Sequence, residues 1–182
     1  ALVSLVFGLV FGLIGAAMKL SRFAALRVLA GVYTALIRGI PELMVILFIY
    51  YGGVILVNNF AGSLGYDTYI DVSAFGAGVA ALSLTFGAYA TEIFRGAIRA
   101  VPTNQIEAAR AIGMSPATTF RRILLPQVWR FALPGLGNLW INMLKDTALV
   151  SIIALDDLMR MTKVAVGVTK QPYTFYLLAC LV

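Results

Sequence analysis

The sequence predicts an all-α protein that crosses a membrane several times, on three observations. First, 61% of the 182 residues are apolar and only 12% are charged. In ordinary soluble domains about 45–50% of the residues are apolar and about 25% are charged. Second, mean hydropathy is +0.93. Third, the apolar residues are grouped into segments near 1–18, 40–58, 74–94, 131–144 and 173–182. Backbone groups in lipid must be paired within each segment, so helices are expected. We predict a single membrane domain over residues 1–182 with about five transmembrane helices.

The two terminal segments are expected to continue beyond this sequence. The last, 173–182, is far shorter than the roughly 20 residues that a spanning helix needs. The first has neither a basic start nor a small-residue cleavage site, so it is not interpreted as a signal peptide. Residues 131–155 allow two interpretations: one long span, or a span that ends near Lys145, followed by a re-entrant or interfacial piece at 148–155.

Charge in the loops predicts the orientation. Ten of the 14 Lys and Arg residues lie in the segments 19–39 and 95–130, and loops rich in these residues stay in the cytoplasm. The N-terminus is therefore expected outside. Four acidic residues fall on the predicted outer side, namely Asp67, Asp71, Asp156 and Asp157.

Several classes of function are disfavoured. The chain has no His and a single cysteine, Cys180, which argues against a disulfide within the chain and a Cys/His metal site. It has no GxxxxGK[ST] phosphate-binding loop and no convincing nucleophile–base pair, so no catalytic residue, cofactor or metal is assigned. No basic run of the kind that binds nucleic acid is present.

The segment 95–130, here called the 95–130 loop, predicts two short helices on the cytoplasmic side. Asn104 is expected to cap the first, with Glu107 at the third helical position, and Gly113 to supply the left-handed residue after its end. Ser115 is expected to cap the second helix, which should stop before Pro126. The loop is thus expected to be rigid, although a solvated connector without a partner remains the alternative.

The same loop carries a long gapped motif. Its fixed positions are Glu107, Ala108, Ala109, Gly113, Ile123, Leu125 and Pro126. This pattern resembles the "EAA" signature of the permease subunits of ABC importers at every fixed position. Segments 36–43, 92–98, 100–102, 132–135 and 144–151 also resemble the polar-amino-acid branch, in particular the Q-type permeases of histidine/lysine-arginine-ornithine or opine uptake. Asn104 departs from that branch, where Gly is common.

The resemblance implies the fold of a type I ABC importer and a role for each motif residue. Glu107 would make polar contacts with a separate ATPase, and Ala108 and Ala109 would permit close approach. Gly113 would set the turn, and Arg110 could add contacts. The remaining motif residues, Ile123, Leu125 and Pro126, would be structural.

The resemblance also implies partners and a location. The partners are an ATP-binding cassette ATPase dimer that holds ATP and Mg, a second permease subunit (identical or paralogous), an extracytoplasmic solute-binding protein and the lipid bilayer. The location is the bacterial inner membrane. The substrates would be polar amino acids, in particular basic ones such as histidine, arginine and lysine, or related opines.

Polar residues within the spans are candidates for the substrate pathway. Asn138, Asn142 and Lys145 share one helix face, and polar groups in lipid are costly. Hydrogen bonding between helices is the alternative for the two Asn. Glu92 is a further candidate, with a local pair to Arg95 as its alternative.

Small residues spaced by four are found in the third span, as Ala77 with Ala81 and Gly87 with Thr91. They suit close helix packing, either between two permease subunits or within one. Two other functions stay open at this point: an ABC permease for another small solute, and an ATPase-independent secondary transporter or channel.

Overall fold

The computed structural model describes residues 1–63, 73–153 and 158–181, and within these ranges all regular structure is helical. The helices are α1 (Leu2–Leu20), α2 (Ala24–Gly39), α3 (Glu42–Ser63), α4 (Ala74–Ala100), α5 (Thr103–Ala111), α6 (Pro116–Thr119), α7 (Leu125–Asp146), α8 (Leu158–Thr169) and α9 (Pro172–Leu181). A π turn (Phe120–Leu124) precedes α7, and a 3-10 segment (Thr147–Ile153) follows it. The acidic residues predicted on the outer side, Asp67, Asp71, Asp156 and Asp157, lie outside the described residues.

Three helices in the described ranges are long and apolar enough to cross a membrane. They are α1, α3 and α4, with 19, 22 and 27 residues. They match the first three predicted spans. The fourth predicted span lies within α7, and the fifth lies in α9, a shorter apolar helix of ten residues. The all-helical membrane architecture is confirmed, while the number of five spanning helices stays a prediction.

Prolines explain two helix boundaries that differ from the predicted ones. Helix α3 begins at Glu42 rather than residue 40, because the Pro41 carbonyl accepts the first helical hydrogen bonds from Met44 and Val45. Helix α4 extends past residue 94 to Ala100 and ends just before the Val101–Pro102 step, where the residue before a proline disfavours the helical conformation. The third helix is therefore about a turn and a half longer than the apolar segment.

The chain divides into two compact units. The first comprises Ala1, Ile40–Leu82 and Met143–Val182. Its core joins α3, the first part of α4 and the 3-10 segment. The buried members of this core are Ile46, Ala77, Ala81, Leu82, Val150 and Ile153. Gly78 faces Val150 so closely that an added Cβ would lie 2.7 Å from Cγ1 of Val150. Ala77 and Ala81 thus serve packing within one chain.

The second unit comprises Leu2–Gly39 and Ser83–Asn142. Here α1 packs against α4 through three buried glycines, Gly8, Gly12 and Gly15. A Cβ at Gly8 would lie 2.7 Å from Cδ1 of Phe86, and one at Gly12 would lie 2.6 Å from the Cβ of Ala90. The helices therefore approach more closely than any larger side chain at these positions would allow.

On the other side of the interface, Gly87 of α4 is equally confined. A Cβ there would lie 2.6 Å from Cβ of Phe11 and 2.9 Å from the hydroxyl of Tyr33. That hydroxyl donates a hydrogen bond of 2.7 Å to the carbonyl oxygen of Leu84. Helices α1, α2 and α4 are thus joined, and Gly87 and Thr91 also serve packing within one chain.

Helix α7 ends at Asp146, and a 3-10 segment continues to Ile153. The structure therefore agrees with a helix that ends near Lys145 rather than one continuous helix over 131–155, of which 154 and 155 lie outside the described residues. Pro134 stands inside α7, where its ring removes one backbone donor.

We expect Gly12→Ala to lower the free energy of unfolding by about 1–3 kcal/mol, because its methyl group would overlap Ala90. Gly53→Ala is the matched control, since no atom lies within 4 Å of a Cβ at Gly53. The check is the unfolding temperature of the detergent-solubilised protein. Equal temperatures for both variants would contradict the close approach of α1 and α4.

Candidate functional site

Helix α5 ends in a tightly specified turn. Gly113 has a φ of +78°, a conformation that is costly for residues with a Cβ. Its N–H donates to the carbonyl of Arg110 (3.0 Å), and the N–H of Met114 donates to the carbonyl of Ala109 (3.0 Å). These two bonds are those of a Schellman motif. The predicted left-handed glycine is therefore present, and it turns the chain directly after α5.

The start of α5 differs from the prediction. The helix begins at Thr103, and its N-cap is Pro102, with φ −60° and ψ 130° and no side-chain capping bond. Asn104 is thus inside the first turn, and the predicted capping box of Asn104 with Glu107 is wrong. The reason is that the Pro102 carbonyl accepts from the N–H of Gln105 (3.2 Å), so the helix starts two residues earlier than a cap at Asn104 requires.

The second helix begins as predicted and continues further than predicted. The Ser115 hydroxyl accepts a hydrogen bond of 3.3 Å from the N–H of Thr118, and Pro116 occupies the first helical turn. The expected stop before Pro126 is wrong, because the chain stays helical through the π turn into α7.

The π turn accounts for this continuity. The N–H of Leu125 bonds to the carbonyl of Phe120, five residues back. Pro126 has no N–H to donate, and in a regular α-helix its ring would crowd the carbonyl four residues before it. One wider turn before the proline accommodates that ring. Leu125 and Pro126 are exposed at the start of α7, and Ile123 is partly buried in the π turn.

The motif residues of α5 divide between two faces. Glu107, Ala108 and Arg110 are exposed. Ala109 is buried, so its small side chain lets α5 pack against its own chain. Ile112, directly after the helix, is 78% exposed, which is unusual for a large apolar residue outside a membrane span. The exposed residues therefore include one negative charge (Glu107), one positive charge (Arg110) and two apolar side chains (Ala108 and Ile112). Such a composition is suited to contact with a protein partner.

One contact of α5 was not foreseen from the sequence. The side-chain Nε2 of Gln127, in the first turn of α7, donates to Oε1 of Gln105 (2.5 Å) and to the carbonyl of Ile123 (3.0 Å). The two glutamines are 22 residues apart and carry no motif, so the sequence contained no signal for this pair.

Glu92 lies in a cluster of charges rather than alone. Its Oε1 pairs with Nζ of Lys19, and its Oε2 pairs with the guanidinium of Arg95 at 2.5 Å. Lys19 also donates to the hydroxyl of Thr34 at 2.6 Å. The side chains of Lys19 and Glu92 are only 16% and 18% exposed. Both oxygens of Glu92 are thus engaged, which favours the salt-bridge alternative over an open pathway residue.

The structure shows a contact of Glu92 with a distant residue, whereas the sequence predicted only a contact within its own helix. The Glu92–Arg95 contact is three residues apart on one helix and was an expected alternative, whereas Lys19 is 73 residues away on α1. Thr34 brings α2 into the cluster. Helices α1, α2 and α4 are therefore tied together by charge near the ends at which α1 and α4 lead into the predicted cytoplasmic loops.

The other pathway candidates remain on one helix. Asn138, Asn142 and Lys145 are all exposed on α7. Next to them in the sequence, Asp146 ends α7, and its side chain lies close to that of Glu42. Among the residues that the structure describes, no three His, Cys, Asp or Glu side chains come together as metal ligands would.

Comparisons with known proteins agree on one family. Residues 8–182 match the family described as "Binding-protein-dependent transport system inner membrane component". The nopaline transport system permease protein NocQ of Agrobacterium fabrum is 51% identical over 95% of this chain and 74% of its own length. The arginine ABC transporter permease protein ArtQ of Haemophilus influenzae is 46% identical over 100% of this chain and 79% of its own.

A further relative and a solved structure extend this agreement. The histidine/lysine/arginine/ornithine transport system permease protein HisQ of Salmonella typhimurium is 46% identical over 96% of this chain and 76% of its own length. A crystal structure described as an amino acid ABC transporter with histidines superimposes with a TM-score of 0.82 at 36% identity. It covers 99% of this chain and 78% of that one.

We expect Glu92→Gln to lower the free energy of unfolding by about 1–3 kcal/mol, between the values for exposed and buried pairs. The reason is that Lys19 and Arg95 would lose their shared counter-charge. The double variant Lys19→Met/Glu92→Gln should cost less than the sum of the single variants. Thermal unfolding in detergent measures all three, and strictly additive losses would contradict the ion pair.

Proposed function

Since this chain belongs to the family of inner membrane components of binding-protein-dependent transport systems, we propose that it is the permease subunit of an ATP-driven importer for basic amino acids or opines. The similar proteins named for transport carry nopaline, arginine, or histidine, lysine, arginine and ornithine. Identities of 46–51% over nearly the whole chain support a substrate of the same chemical class. The family name supports a multi-pass location in the inner membrane.

The observation that carries the proposal is the exposed surface at the end of α5. Glu107 and Arg110 lie on the short helix α5, and Ile112 lies between that helix and the Gly113 turn. Only two residues separate α5 from α4. The sequence has no phosphate-binding loop for ATP, so the energy must come from a partner. This surface is the docking site for an ATPase dimer that holds ATP and Mg.

Movement of that partner acts on the spanning helices through α5. The step Val101–Pro102 joins α5 to α4, and α6 with the π turn joins it to α7. When ATP closes the ATPase pair, the α5 helices of two permease subunits approach each other and reorient the helices attached to them. The second subunit is either a copy of this chain or a paralogue.

The pathway lies along the polar face of α7. Asn138, Asn142 and Lys145 share that face, and a polar group facing lipid would be costly. A solute-binding protein delivers substrate from outside, the side on which the N-terminus lies. Glu92 keeps the helices together rather than contacting substrate, because Lys19 and Arg95 occupy both of its oxygens.

Reconstituted vesicles that contain this permease, its ATPase and its binding protein should accumulate radiolabelled arginine, histidine or nopaline only when ATP is hydrolysed. A catalytically dead ATPase is the control, and glutamate is the control solute. Uptake that persists with the dead ATPase would contradict an ATP-driven importer, and uptake of none of the three labelled solutes would contradict the substrate class.

We expect Gly113→Val to reduce co-purification of the ATPase about tenfold or more. A β-branched residue at a φ of +78° costs at least about 1–2 kcal/mol, and strain of this size would distort the turn after α5. Gly113→Asn is the matched control, because Asn tolerates the left-handed conformation. Membrane insertion of both should equal that of the wild type. Full ATPase retention by Gly113→Val would contradict docking at this turn.

Glu107→Lys should weaken the same association, since it reverses a charge on the exposed face without disturbing the helix. Arg130→Glu, an exposed charge reversal on α7, is a control outside the proposed surface. The measurement is again the amount of ATPase that co-purifies. Equal losses from both reversals would indicate a general charge effect instead of a docking contact.

A further inference from the structure

We propose that Gln127 is a positioning residue that transmits the movement of α5 directly to α7 through its hydrogen bond to Gln105. This inference rests on the proposed function, because it assigns a mechanical role within an ATP-driven permease. It concerns residues outside the motif and outside the docking surface. Gln127 contacts neither the ATPase nor the substrate in this scheme.

The need for such a link follows from the route of the chain between α5 and α7. That route passes through the left-handed turn at Gly113, through α6 with only four residues, and through the π turn Phe120–Leu124. The four-residue α6 is short and the π turn is wide, and short helices are not stable by themselves. A displacement of α5 would therefore be partly absorbed along this route before it reached α7.

The Gln105–Gln127 pair bypasses that route. Gln105 lies four residues before the buried Ala109, on the same side of α5. Its side chain is exposed and reaches Gln127 at the surface of the protein. Gln127 lies in the first turn of α7. Their 2.5 Å hydrogen bond spans 22 residues of sequence and joins the two helices at one point.

Gln127 also makes a hydrogen bond to the backbone of the π turn. The same Nε2 atom donates to the carbonyl of Ile123, at 3.0 Å. A backbone carbonyl can only accept, so this bond determines which end of the Gln127 amide faces Gln105. Gln105 must then present its oxygen. One side chain thus connects α5, the π turn and α7, and each of its two donated bonds has a defined direction.

The consequence for transport is specific. Helix α7 carries the polar face with Asn138, Asn142 and Lys145. If the glutamine pair is lost, the docking surface on α5 remains intact, and the ATPase still binds and hydrolyses ATP. Less of each closing movement reaches α7, so fewer substrate molecules cross for each ATP hydrolysed.

The direction of the bond allows a sharp choice of variants. Gln105→Met and Gln127→Met each remove the link while keeping a flexible side chain of similar length. Gln105→Glu retains the acceptor oxygen, and a charged acceptor forms an equal or stronger bond. Gln171→Met is the matched control, because Gln171 lies between α8 and α9, is exposed and is far from this motif in the sequence.

The experiment uses the complete transporter in vesicles and measures both labelled arginine or nopaline uptake and ATP hydrolysis. We expect both Met variants to lower the ratio of substrate to ATP about threefold to tenfold, as for the loss of one or two hydrogen bonds. Gln105→Glu and Gln171→Met should match the wild type. The double variant Gln105→Met/Gln127→Met should be no worse than Gln127→Met alone, because both changes break one bond.

Three results would overturn the inference, and they differ from failure of the proposed function. They are an unchanged ratio in both Met variants, a parallel fall of ATPase activity and uptake, and a loss in Gln105→Glu equal to that in Gln105→Met. Failure of the proposed function would appear earlier, as absence of ATP-dependent uptake by the wild type, and the inference would fall with it.

Discussion

The left-handed turn at Gly113 is the constraint on which the proposed docking surface depends. It closes α5 with two backbone hydrogen bonds from Gly113 and Met114, which pair the carbonyls of Arg110 and Ala109 at the end of the helix. The chain therefore turns directly after α5, and α6 begins at Pro116 after four intervening residues. Without that turn, the exposed Glu107 and Ile112 would have no defined position relative to the helices behind them.

The platform behind α5 is rigid for a different reason. Lipid offers no hydrophobic force between helices, so close packing and polar bonds must hold them. Glycines of α1 meet α4 where no larger residue fits, and Glu92 binds Lys19 and Arg95 at the end of the same helices. Helix α4 continues from this platform to within two residues of α5. In the proposed function, force applied by the ATPase at α5 would thus reach a helix that is packed against its neighbours.

Some of the site was predictable because its signals are local. Ser115 before Pro116 and the left-handed Gly113 depend on residues within one turn, and the structure contains both. The predictions for Asn104 and Pro126 failed because each has a competing local solution. Pro102 starts α5 earlier, and a π turn lets the helix absorb Pro126. Preferences of single residues do not rank such alternatives, whose energies differ by about 1 kcal/mol.

The sequence by itself determined the class of this protein, since apolar segments in lipid must be helical and the motif spacing from Glu107 to Pro126 identifies the family resemblance. It also determined the turn at Gly113, because φ preferences are a property of one residue. Only the tertiary structure decided that Glu92 binds Lys19, that Ala109 faces inward, and that Gln127 reaches Gln105. Those contacts join residues 22 to 73 positions apart or depend on which helix face is covered, and periodicity along one segment carries no information about its neighbour in space.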